Sequence, residues 1–273
     1  LPFGLCWLSV ARGPVLAKKV AGNKGRTEEI WGALLGEIKK LAKKERAAFL
    51  RVELPYESPV YIGEHSRLAH AHYHPGWTLE VDLKLSEDEI LAQMKQKGRY
   101  NIRVAEKKGI TVRTTDKPED VHDFYEILKG TGGRDGFHIH EEAYYQTFVK
   151  EATDGKWGTL YVAEHEGKIV GGIIATFYGD TATYYYGASS YEHRSLMAPY
   201  LLQWTAMKDA KKAGHDWYDF MGIAPPDDPK HPYAGITQFK EKFGGQKFEY
   251  TKAREFVFKR LWYLLIRLRK KLR

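Results

Sequence analysis

A run of short apolar segments between residues 160 and 187 most restricts how this chain can fold. Leu160 to Glu164 and Ile169 to Tyr178 flank Glu166-Gly167, and Thr181 to Gly187 follows Gly179-Asp180. Short glycine-containing turns of this kind join strands that lie antiparallel and adjacent. The segment therefore predicts an antiparallel meander of three strands.

Predicted helices surround this meander. Pro118 to Leu128 and Glu141 to Glu151 have helical patterns and are joined by the glycine-rich "GTGGRDGFH". Pro199 opens a long helix that ends at Gly214, and "WYDFMGI" adds a buried strand. Two helices, a meander, a long helix and one more strand form the order of an acetyltransferase-like (GNAT) fold. The predicted fold class is mixed α/β.

The residues before 116 follow a partial copy of the same plan. Their predicted elements are a strand at 5–10, a helix at 27–44, strands at 47–54 and 78–83, a helix from the capping box of Ser86 and Glu89 to Lys108, and a strand at 110–114. We predict two GNAT-like domains, residues 1–115 and 116–253, with a basic helix at 254–273 completing the first. Because the chain opens inside a strand without an initiator methionine, we expect a fragment whose first domain is incomplete at its N-terminus.

Charge and cysteine content indicate which partners and which cellular compartment to expect. The 273 residues carry a formal charge of +8, which favours an anionic partner such as nucleic acid, a phosphorylated substrate or an acidic membrane surface. A single cysteine, Cys6, excludes an internal disulfide framework and fits a reducing compartment. No signal peptide and no membrane-spanning apolar run is visible in the sequence. We expect a cytoplasmic monomer.

The segment after the meander argues against the usual cofactor of this fold. An acetyl-CoA site needs a glycine-rich loop whose backbone N–H groups hold the pyrophosphate at the start of the next helix. The sequence there, "GASSYEHRSLMAPY", has one glycine, and Pro199 removes one of the donors. We therefore predict a GNAT-like fold without a bound cofactor.

Two lysines stand among aromatic residues in "AGITQFKEKFGG", residues 234–245. A helical turn with a purely structural role usually places its lysines on a solvated face, whereas Lys240 and Lys242 alternate here with Phe239 and Phe243. This pattern predicts that one lysine is held against a polar reacting group, and that the glycines let the segment turn close to a substrate.

A basic helix at residues 94–109 is a candidate site for phosphate groups. Lys95, Arg99 and Arg103 share one helical face, and few acidic residues balance the cations of this segment. An ordinary solvated helix explains the same pattern, and the two interpretations stay open.

Three further motifs have competing interpretations. His70, His72 and His74 in "HAHYH" alternate as metal ligands on a strand do, but no acidic partner follows at ligand spacing, so loop histidines are favoured and no metal is predicted. "GTGGRDG" could cradle a phosphate or be a flexible connection, with Arg134 as its notable side chain. In "TYYYGASS", strand alternation places Tyr184 and Tyr186 together on the face opposite Tyr185.

Taken together, these motifs resemble one known family. "RGPVL", "KGRYNIRVAEKKGI", "RDGF", "YYYGASS", "PYLLQWTAMKDAKKAG" and "YDFMGIAPPDDPKHPYAGITQFKEKFGG" occur in the order found in the FemABX peptidyltransferases, which build peptidoglycan side chains and cross-bridges. The resemblance extends over essentially the whole chain, and its most specific part is residues 218–245. It implies two GNAT-like domains that use aminoacyl-tRNA in place of acetyl-CoA.

The resemblance also implies roles for particular residues. The family's Phe-Lys pair at the reaction centre matches Phe239 and Lys240. Its precursor-binding tyrosines match the region of Tyr144 and of Tyr184 to Tyr186, and His140 stands where an arginine is expected. We assign substrate contacts to Tyr144, His140, Arg134, Tyr184, Tyr186, Lys242 and Phe243, and tRNA or phosphate contacts to Lys95, Arg99 and Arg103.

The implied reaction is transfer of an amino acid from aminoacyl-tRNA to the side-chain amine of the third stem-peptide residue of a UDP- or lipid-linked muropeptide precursor. We expect Lys240, clamped by Phe239 and Phe243, to stabilise the oxyanion of the transition state. The basic helix at the end of the sequence could pack on the first domain or contact the inner membrane surface. Two alternatives remain: a GNAT-type N-acyltransferase with an acyl-CoA donor, and a degenerate RNA- or surface-binding relative.

Overall fold

A computed structural model describes residues 4–16, 23–54, 66–69, 73–136 and 138–271. By contact the chain forms two compact units, Leu1–Trp77 with Phe248–Arg273, and Thr78–Lys247. The predicted division after residue 115 is not where these units separate. The strand Thr111–Thr115 pairs with Gly158–His165 and so belongs to the sheet of the second unit.

The described elements can be given in chain order. The first half comprises β1 (Cys6–Ala11), α1 (Lys24–Lys44), β2 (Ala47–Glu53), β3 (Arg67–Leu68), β4 (Trp77–Asp82), α2 (Glu87–Gln93), α3 (Gln96–Lys107), β5 (Thr111–Thr115) and α4 (Pro118–Asp135). The second half comprises α5 (Glu142–Asp154), β6 (Gly158–His165), β7 (Lys168–Tyr178), β8 (Thr181–Ser189), α6 (Ala198–Lys212), β9 (Trp217–Asp219), α7 (Ala234–Lys240), β10 (Gln246–Glu249), β11 (Arg254–Val257) and α8 (Arg260–Lys271). Short 3₁₀ turns cover Arg194–Leu196 and Glu241–Phe243.

The first unit is built on a sheet of order β1-β2-β11-β3. β1 runs parallel to β2, and β11 runs antiparallel to it. On one face of the sheet, Trp31 of α1 packs with Leu50, Val52 and Phe256. On the other face, Tyr263 of α8 packs with Ala48 and Phe49. The strand Arg254–Val257 corrects the prediction of one helix from residue 254, because pairing with β2 fixes this segment as extended.

A seven-stranded sheet of order β10-β4-β9-β8-β7-β6-β5 forms the centre of the second unit, and only the first residue of β4 and the last two of β10 fall outside its bounds. The predicted meander is confirmed: β6, β7 and β8 pair antiparallel in sequence. β8 and β9 are parallel, because the long helix α6 carries the chain back to the end of the sheet at which β8 begins. The core on one sheet face joins α4 and α5 to β6 and β7, with Phe124, Tyr145, Leu160 and Ile174 almost fully buried.

Helix α4 extends through the segment predicted as a glycine-rich connection. It runs on to Asp135 and ends at Gly136, whose φ of 74° gives the left-handed cap. Thr131 supports the last turns by donating its hydroxyl to the carbonyl oxygen of Ile127 at 2.9 Å. The backbone N–H groups of Gly130 to Gly133 therefore lie inside a helix, and the alternative of a phosphate-cradling loop is wrong. Phe137 lies outside the described residues.

The helix predicted from residue 86 to residue 108 is two helices, α2 and α3. The chain is extended at Met94, with ψ at 145°. At this break Lys95 N donates to the carbonyl oxygen of Lys242 at 3.1 Å. Contact with a distant part of the chain thus replaces the helical hydrogen bond that a continuous helix would make.

Within the described ranges, no helix combines the length and apolar character needed to cross a bilayer. The same residues contain no group of three or more His, Cys, Asp or Glu side chains arranged to hold a metal ion. Of the "HAHYH" histidines, His70 and His72 lie outside the described residues. His74 pairs through Nδ1 with the fully buried carboxylate of Glu53, an acidic partner supplied by β2.

Candidate active site

Lys240 is a buried lysine at the last position of α7. Its side chain is 6% exposed, and Nζ donates to the carbonyl oxygens of Gly222 at 2.7 Å and Met221 at 3.4 Å. The ammonium lies 5.6 Å from the centroid of the Tyr184 ring. Two of its three N–H donors are thus directed to backbone carbonyls, and the third can serve another acceptor.

Burial changes how easily this ammonium gives up its proton. Removal from water lowers the pKa of Lys240 to about 8, while the negative charge of Asp219 acts in the opposite direction. A lysine with a pKa near neutrality can both hold and release a proton under physiological conditions. This property fits a residue that takes part in proton transfer.

The carbonyls that hold Lys240 belong to a tightly shaped segment after β9. Met221 has a φ of 57°, and its N–H donates to Asp219 Oδ1 at 2.6 Å. Thr237 then ties α7 to this segment, since its Oγ1 accepts from Ala224 N at 2.8 Å and donates to Tyr233 O at 2.7 Å. Helix α7 therefore fixes the backbone of Lys240, and the segment after β9 fixes its ammonium group.

A β-bulge decides where the tyrosines of β8 point. Ile174 pairs with Tyr186 and Ala175 pairs with Tyr184, so Tyr185 is an extra residue in the ladder. The predicted placement of Tyr184 and Tyr186 on one face is wrong, because the bulge shifts the alternation. Tyr184 contacts Phe220 and Lys240, whereas Tyr186 contacts other aromatic side chains on α5.

Tyr184 depends on the absence of a side chain at residue 187. A β-carbon at Gly187 would lie 2.1 Å from the Tyr184 hydroxyl oxygen. Burial raises the pKa of Tyr184 to about 12, so the phenol stays protonated at neutral pH. Its ring forms one wall beside the Lys240 ammonium.

Phe239 and Phe243 pack around Tyr200, the third residue of α6. The ring centroids of Tyr200 lie 5.2 Å from Phe239 and 5.7 Å from Phe243. Lys242 joins this cluster by donating Nζ to the Tyr200 hydroxyl at 3.1 Å. The predicted clamp of two phenylalanines on Lys240 is therefore replaced: the ring beside its ammonium is Tyr184, and the phenylalanines hold the helix end against α6.

The glycines around this segment serve close packing within the protein. Gly244 and Gly245 have φ values of 78° and 86°, and added β-carbons would lie 2.8 Å from Gln93 O and 2.4 Å from Glu80 O. A β-carbon at Gly98 would lie 2.3 Å from Lys242 O. The expectation that the glycine pair lets the chain approach a substrate is corrected, since its neighbours are α2 and β4.

A second aromatic cluster gathers the other predicted substrate residues. The phenol oxygens of Tyr144 and Tyr186 are 3.3 Å apart, and the His140 ring stacks on Tyr144 with centroids 4.1 Å apart. Phe148 of α5 stacks on Tyr185 at 5.6 Å. Burial, and then the hydrogen bond with Tyr144, raise the pKa of Tyr186 well above its usual range. The cluster offers hydroxyl groups and flat rings to a ligand.

The sequence was compared with known protein families and known proteins. A family model described as "Acetyltransferase (GNAT) domain" matches residues 92–241, more than half of the chain, from the end of α2 to the residue after Lys240. A lipid II:glycine glycyltransferase of Staphylococcus aureus (strain USA300) is 24% identical over 346 aligned positions, which cover 97% of this chain and 80% of that protein. The chain belongs to the GNAT acetyltransferase-domain family, and its similarity to this glycyltransferase agrees with the FemABX resemblance of its sequence.

Solved structures share the fold. A crystal structure of FemX has a TM-score of 0.82 at 21% identity, covering 97% of this chain and 84% of the other. The structure of L-PGS from Bacillus licheniformis has a TM-score of 0.58 at 15% identity, covering 82% and 72%. Both similarities concern the fold of the chain.

The three basic residues that are predicted to contact phosphate lie in different environments. Lys95 occupies the N-cap position of α3, and its Nζ pairs with Glu241 Oε2 at 2.9 Å. Arg99 donates Nη1 to Met94 O and, at 3.2 Å, to Leu91 O, which closes the end of α2. Arg103 is exposed. Of the two arginines, Arg103 is therefore the one that faces solvent, and a phosphate role for the set stays a prediction.

Arg134 contacts an aromatic ring near the start of α6. Its guanidinium lies 5.6 Å from the centroid of the Tyr191 ring, against which Arg194 also packs at 4.2 Å. The structure thus groups Arg134 with the turn that precedes α6. Its assignment to substrate binding stays a prediction.

The sequence alone did not reveal the residues that surround Lys240. Residues 239–242 are contacted or influenced by Tyr200, Asp219 and the carbonyl of Gly222. Thr237 ties the same helix to the segment after β9. One clue was present in the sequence, since Thr237 precedes Lys240 by about one helical turn on the same face. Backbone carbonyls carry no sequence signal at all. Only the folded chain shows them.

Proposed function

We propose that this protein transfers an amino acid from aminoacyl-tRNA to the side-chain amine of the third stem-peptide residue of a peptidoglycan precursor. The observation that carries the proposal is Lys240: a buried ammonium with a lowered pKa, beside Tyr184, at the end of the family-matched segment. The S. aureus relative, whose name states that it acts on lipid II with glycine, supports the reaction class.

The chemistry is aminolysis of an ester. The neutral acceptor amine attacks the ester carbonyl, a nitrogen–carbon bond forms, and the negative charge moves to the carbonyl oxygen. The carbon–oxygen bond to the ribose then breaks, and the proton lost by the amine ends on the leaving ribose oxygen. The third N–H of Lys240 is suited to hold the oxyanion, and its pKa near 8 suits proton relay. Aminolysis of an ester proceeds without a metal or organic cofactor, and none belongs to the proposal.

The start of α6 supports a tRNA donor over an acyl-CoA donor. The helix begins after Met197 in a left-handed conformation, with no side-chain cap and with Pro199 in its first turn. A pyrophosphate bound at a helix start needs free N–H groups there, and proline supplies none. The charge of +8 over the chain favours a polyanionic donor such as tRNA.

The cluster of Tyr144, Tyr186 and His140 is suited to the precursor. Its phenols can donate to the amide and carboxylate oxygens of a stem peptide, and its stacked rings can pack on a flat or sugar-like group. Burial raises the pKa of Tyr186 further above neutrality, and its protonated phenol can donate a hydrogen bond. We assign acceptor binding to this cluster.

The test is a transfer assay with a radiolabelled mixture of tRNA-charged amino acids and muropeptide precursors, both UDP-linked and lipid-linked. Wild type is compared with Lys240→Met and with the matched control Lys129→Met, which removes an exposed lysine. We expect label on the precursor with wild type and Lys129→Met, and a loss of about 10²–10³-fold with Lys240→Met.

Other outcomes would replace the proposal. Acyl transfer from acetyl-CoA, with no transfer from tRNA, would identify an N-acyltransferase. Salt-sensitive tRNA binding without transfer from any charged tRNA would identify a binding protein. Full activity of Lys240→Met would remove Lys240 from the mechanism and direct attention to Lys242.

A further inference from the structure

Helix α8 carries an exposed stripe of four leucines. Leu261, Leu264, Leu265 and Leu268 are 68%, 53%, 46% and 57% exposed, at the spacing i, i+3, i+4 and i+7 that defines one helical face. We call these residues the leucine stripe. From this surface we propose that α8 docks the protein on the surface of an anionic lipid bilayer.

The opposite face of α8 packs against the sheet of its own unit. Tyr263 is 2% exposed and packs with Ala48 and Phe49, and Trp262 and Ile266 pack against the same cluster. The Tyr263 hydroxyl also donates to Glu255 Oε2 at 2.5 Å. The helix is therefore held firmly to the sheet of its unit, and the leucine stripe is a second apolar face that this packing does not need.

The positive charge around the leucine stripe favours an anionic partner. Residues 259–273 contain seven Lys or Arg residues and no Asp or Glu. Of these, Lys259, Arg260 and Arg267 lie in the described part of the helix region with their side chains at least partly exposed. An interfacial helix combines an apolar face that enters the acyl boundary with basic residues that meet anionic headgroups.

RNA and a protein partner explain this surface less completely. A polyanionic RNA would account for the basic residues but gives four exposed leucines nothing to bury against. A protein surface would account for the leucines and requires an acidic rim to match the charge. A bilayer containing anionic lipid satisfies both features with one surface. The proposal rests on α8 alone and is independent of the proposed transferase reaction.

The experiment measures binding of the full chain to vesicles by flotation. Phosphatidylcholine vesicles are compared with vesicles that also contain phosphatidylglycerol. The leucine stripe is removed in the fourfold variant Leu261→Gln/Leu264→Gln/Leu265→Gln/Leu268→Gln. Glutamine is polar and favours a helix, so the helix itself should persist. Leu264→Gln alone is a milder second variant. Leu41→Gln is the matched control, because Leu41 is an exposed leucine on another helix.

We expect wild type and Leu41→Gln to bind the anionic vesicles, more weakly at high salt. The fourfold variant should lose at least about tenfold in binding, and Leu264→Gln a smaller fraction. Charge neutralisation by Lys259→Gln/Arg260→Gln/Arg267→Gln should weaken binding to anionic vesicles. Circular dichroism and thermal unfolding establish whether each variant is folded. If the fourfold variant does not fold, vesicle binding by Leu264→Gln alone tests the proposal.

Three results would overturn the proposal. The first is binding to anionic vesicles that the leucine variants leave unchanged. The second is a wild-type dimer in light scattering that the leucine variants convert to monomers without effect on vesicles, which would make the stripe a contact between two copies. The third is loss of tRNA binding in the leucine variants without loss of vesicle binding.

Discussion

Tyr184 occupies the space that a side chain at residue 187 would need: a β-carbon there would lie 2.1 Å from the tyrosine hydroxyl oxygen. Because the two residues come this close on β8, Gly187 sets the position of the ring that lies beside the Lys240 ammonium. A backbone position thus controls the surroundings of the candidate catalytic group.

Replacing Gly187 by alanine should displace Tyr184 and reduce turnover. Gly187 has no positive φ, so the steric conflict with Tyr184 is the main change that the added methyl group causes. We expect kcat for aminoacyl transfer to fall between about 10- and 100-fold, since small misplacements near reacting groups cost this much. Steady-state kinetics of Gly187→Ala against Gly130→Ala, which removes a remote glycine, measures the effect. Equal kcat values would show that Tyr184 does not position the lysine.

The lowered pKa of Lys240 predicts how stability depends on pH. Below pH 8 both folded and unfolded chains hold the proton, and the cost of burying the ammonium is fully present. Between about pH 8 and 10.5 the unfolded chain binds more protons, so this cost is relieved and stability rises with pH. Urea unfolding should show that the free energy of unfolding of wild type rises over this pH range by on the order of 3 kcal/mol relative to that of Lys240→Met. A difference that stays constant with pH would contradict burial of the charge.

The continuation of α4 through residues 130–135 can be tested with two glycines. Gly130 lies inside the helix with open space where a β-carbon would lie, so Gly130→Ala should raise the free energy of unfolding by about 0.5–1 kcal/mol. Gly136 is the matched comparison, because its φ of 74° disfavours alanine and Gly136→Ala should lower stability. Chemical denaturation measures both. Destabilisation by Gly130→Ala would indicate a loop at this position.

The phenol pair of Tyr144 and Tyr186 predicts a specific kinetic change. Tyr186→Phe removes one hydroxyl from a hydrogen-bonded pair while the ring packing remains. We expect KM for the muropeptide precursor to rise about fivefold to tenfold, with kcat little changed, because one hydrogen bond is worth about 1 kcal/mol. Tyr178→Phe, at a 92% exposed tyrosine, serves as the control. A lower kcat with unchanged KM would place Tyr186 in the chemical step.

Local sequence signals determined the elements that local physics controls. The turns at Glu166-Gly167 and Gly179-Asp180 fix an antiparallel meander because short glycine turns leave no other way for the strands to pair. Pro199 likewise marks the start of α6, since its ring fits the first turn of a helix. The Phe-Lys pair pointed to Lys240 as the lysine of interest, and the resemblance of residues 218–245 pointed to the family.

Tertiary structure decided everything that depends on distant parts of the chain. Pairing with β2 makes residues 254–257 a strand, contact with Lys242 breaks the helix at Met94, and the bulge in β8 sends Tyr184 to Lys240 and Tyr186 to Tyr144. Burial of Lys240 against the Gly222 carbonyl, which lowers its pKa, has no signature in residue order. A pKa depends on the solvent and charge around a group, and only the folded chain sets that environment.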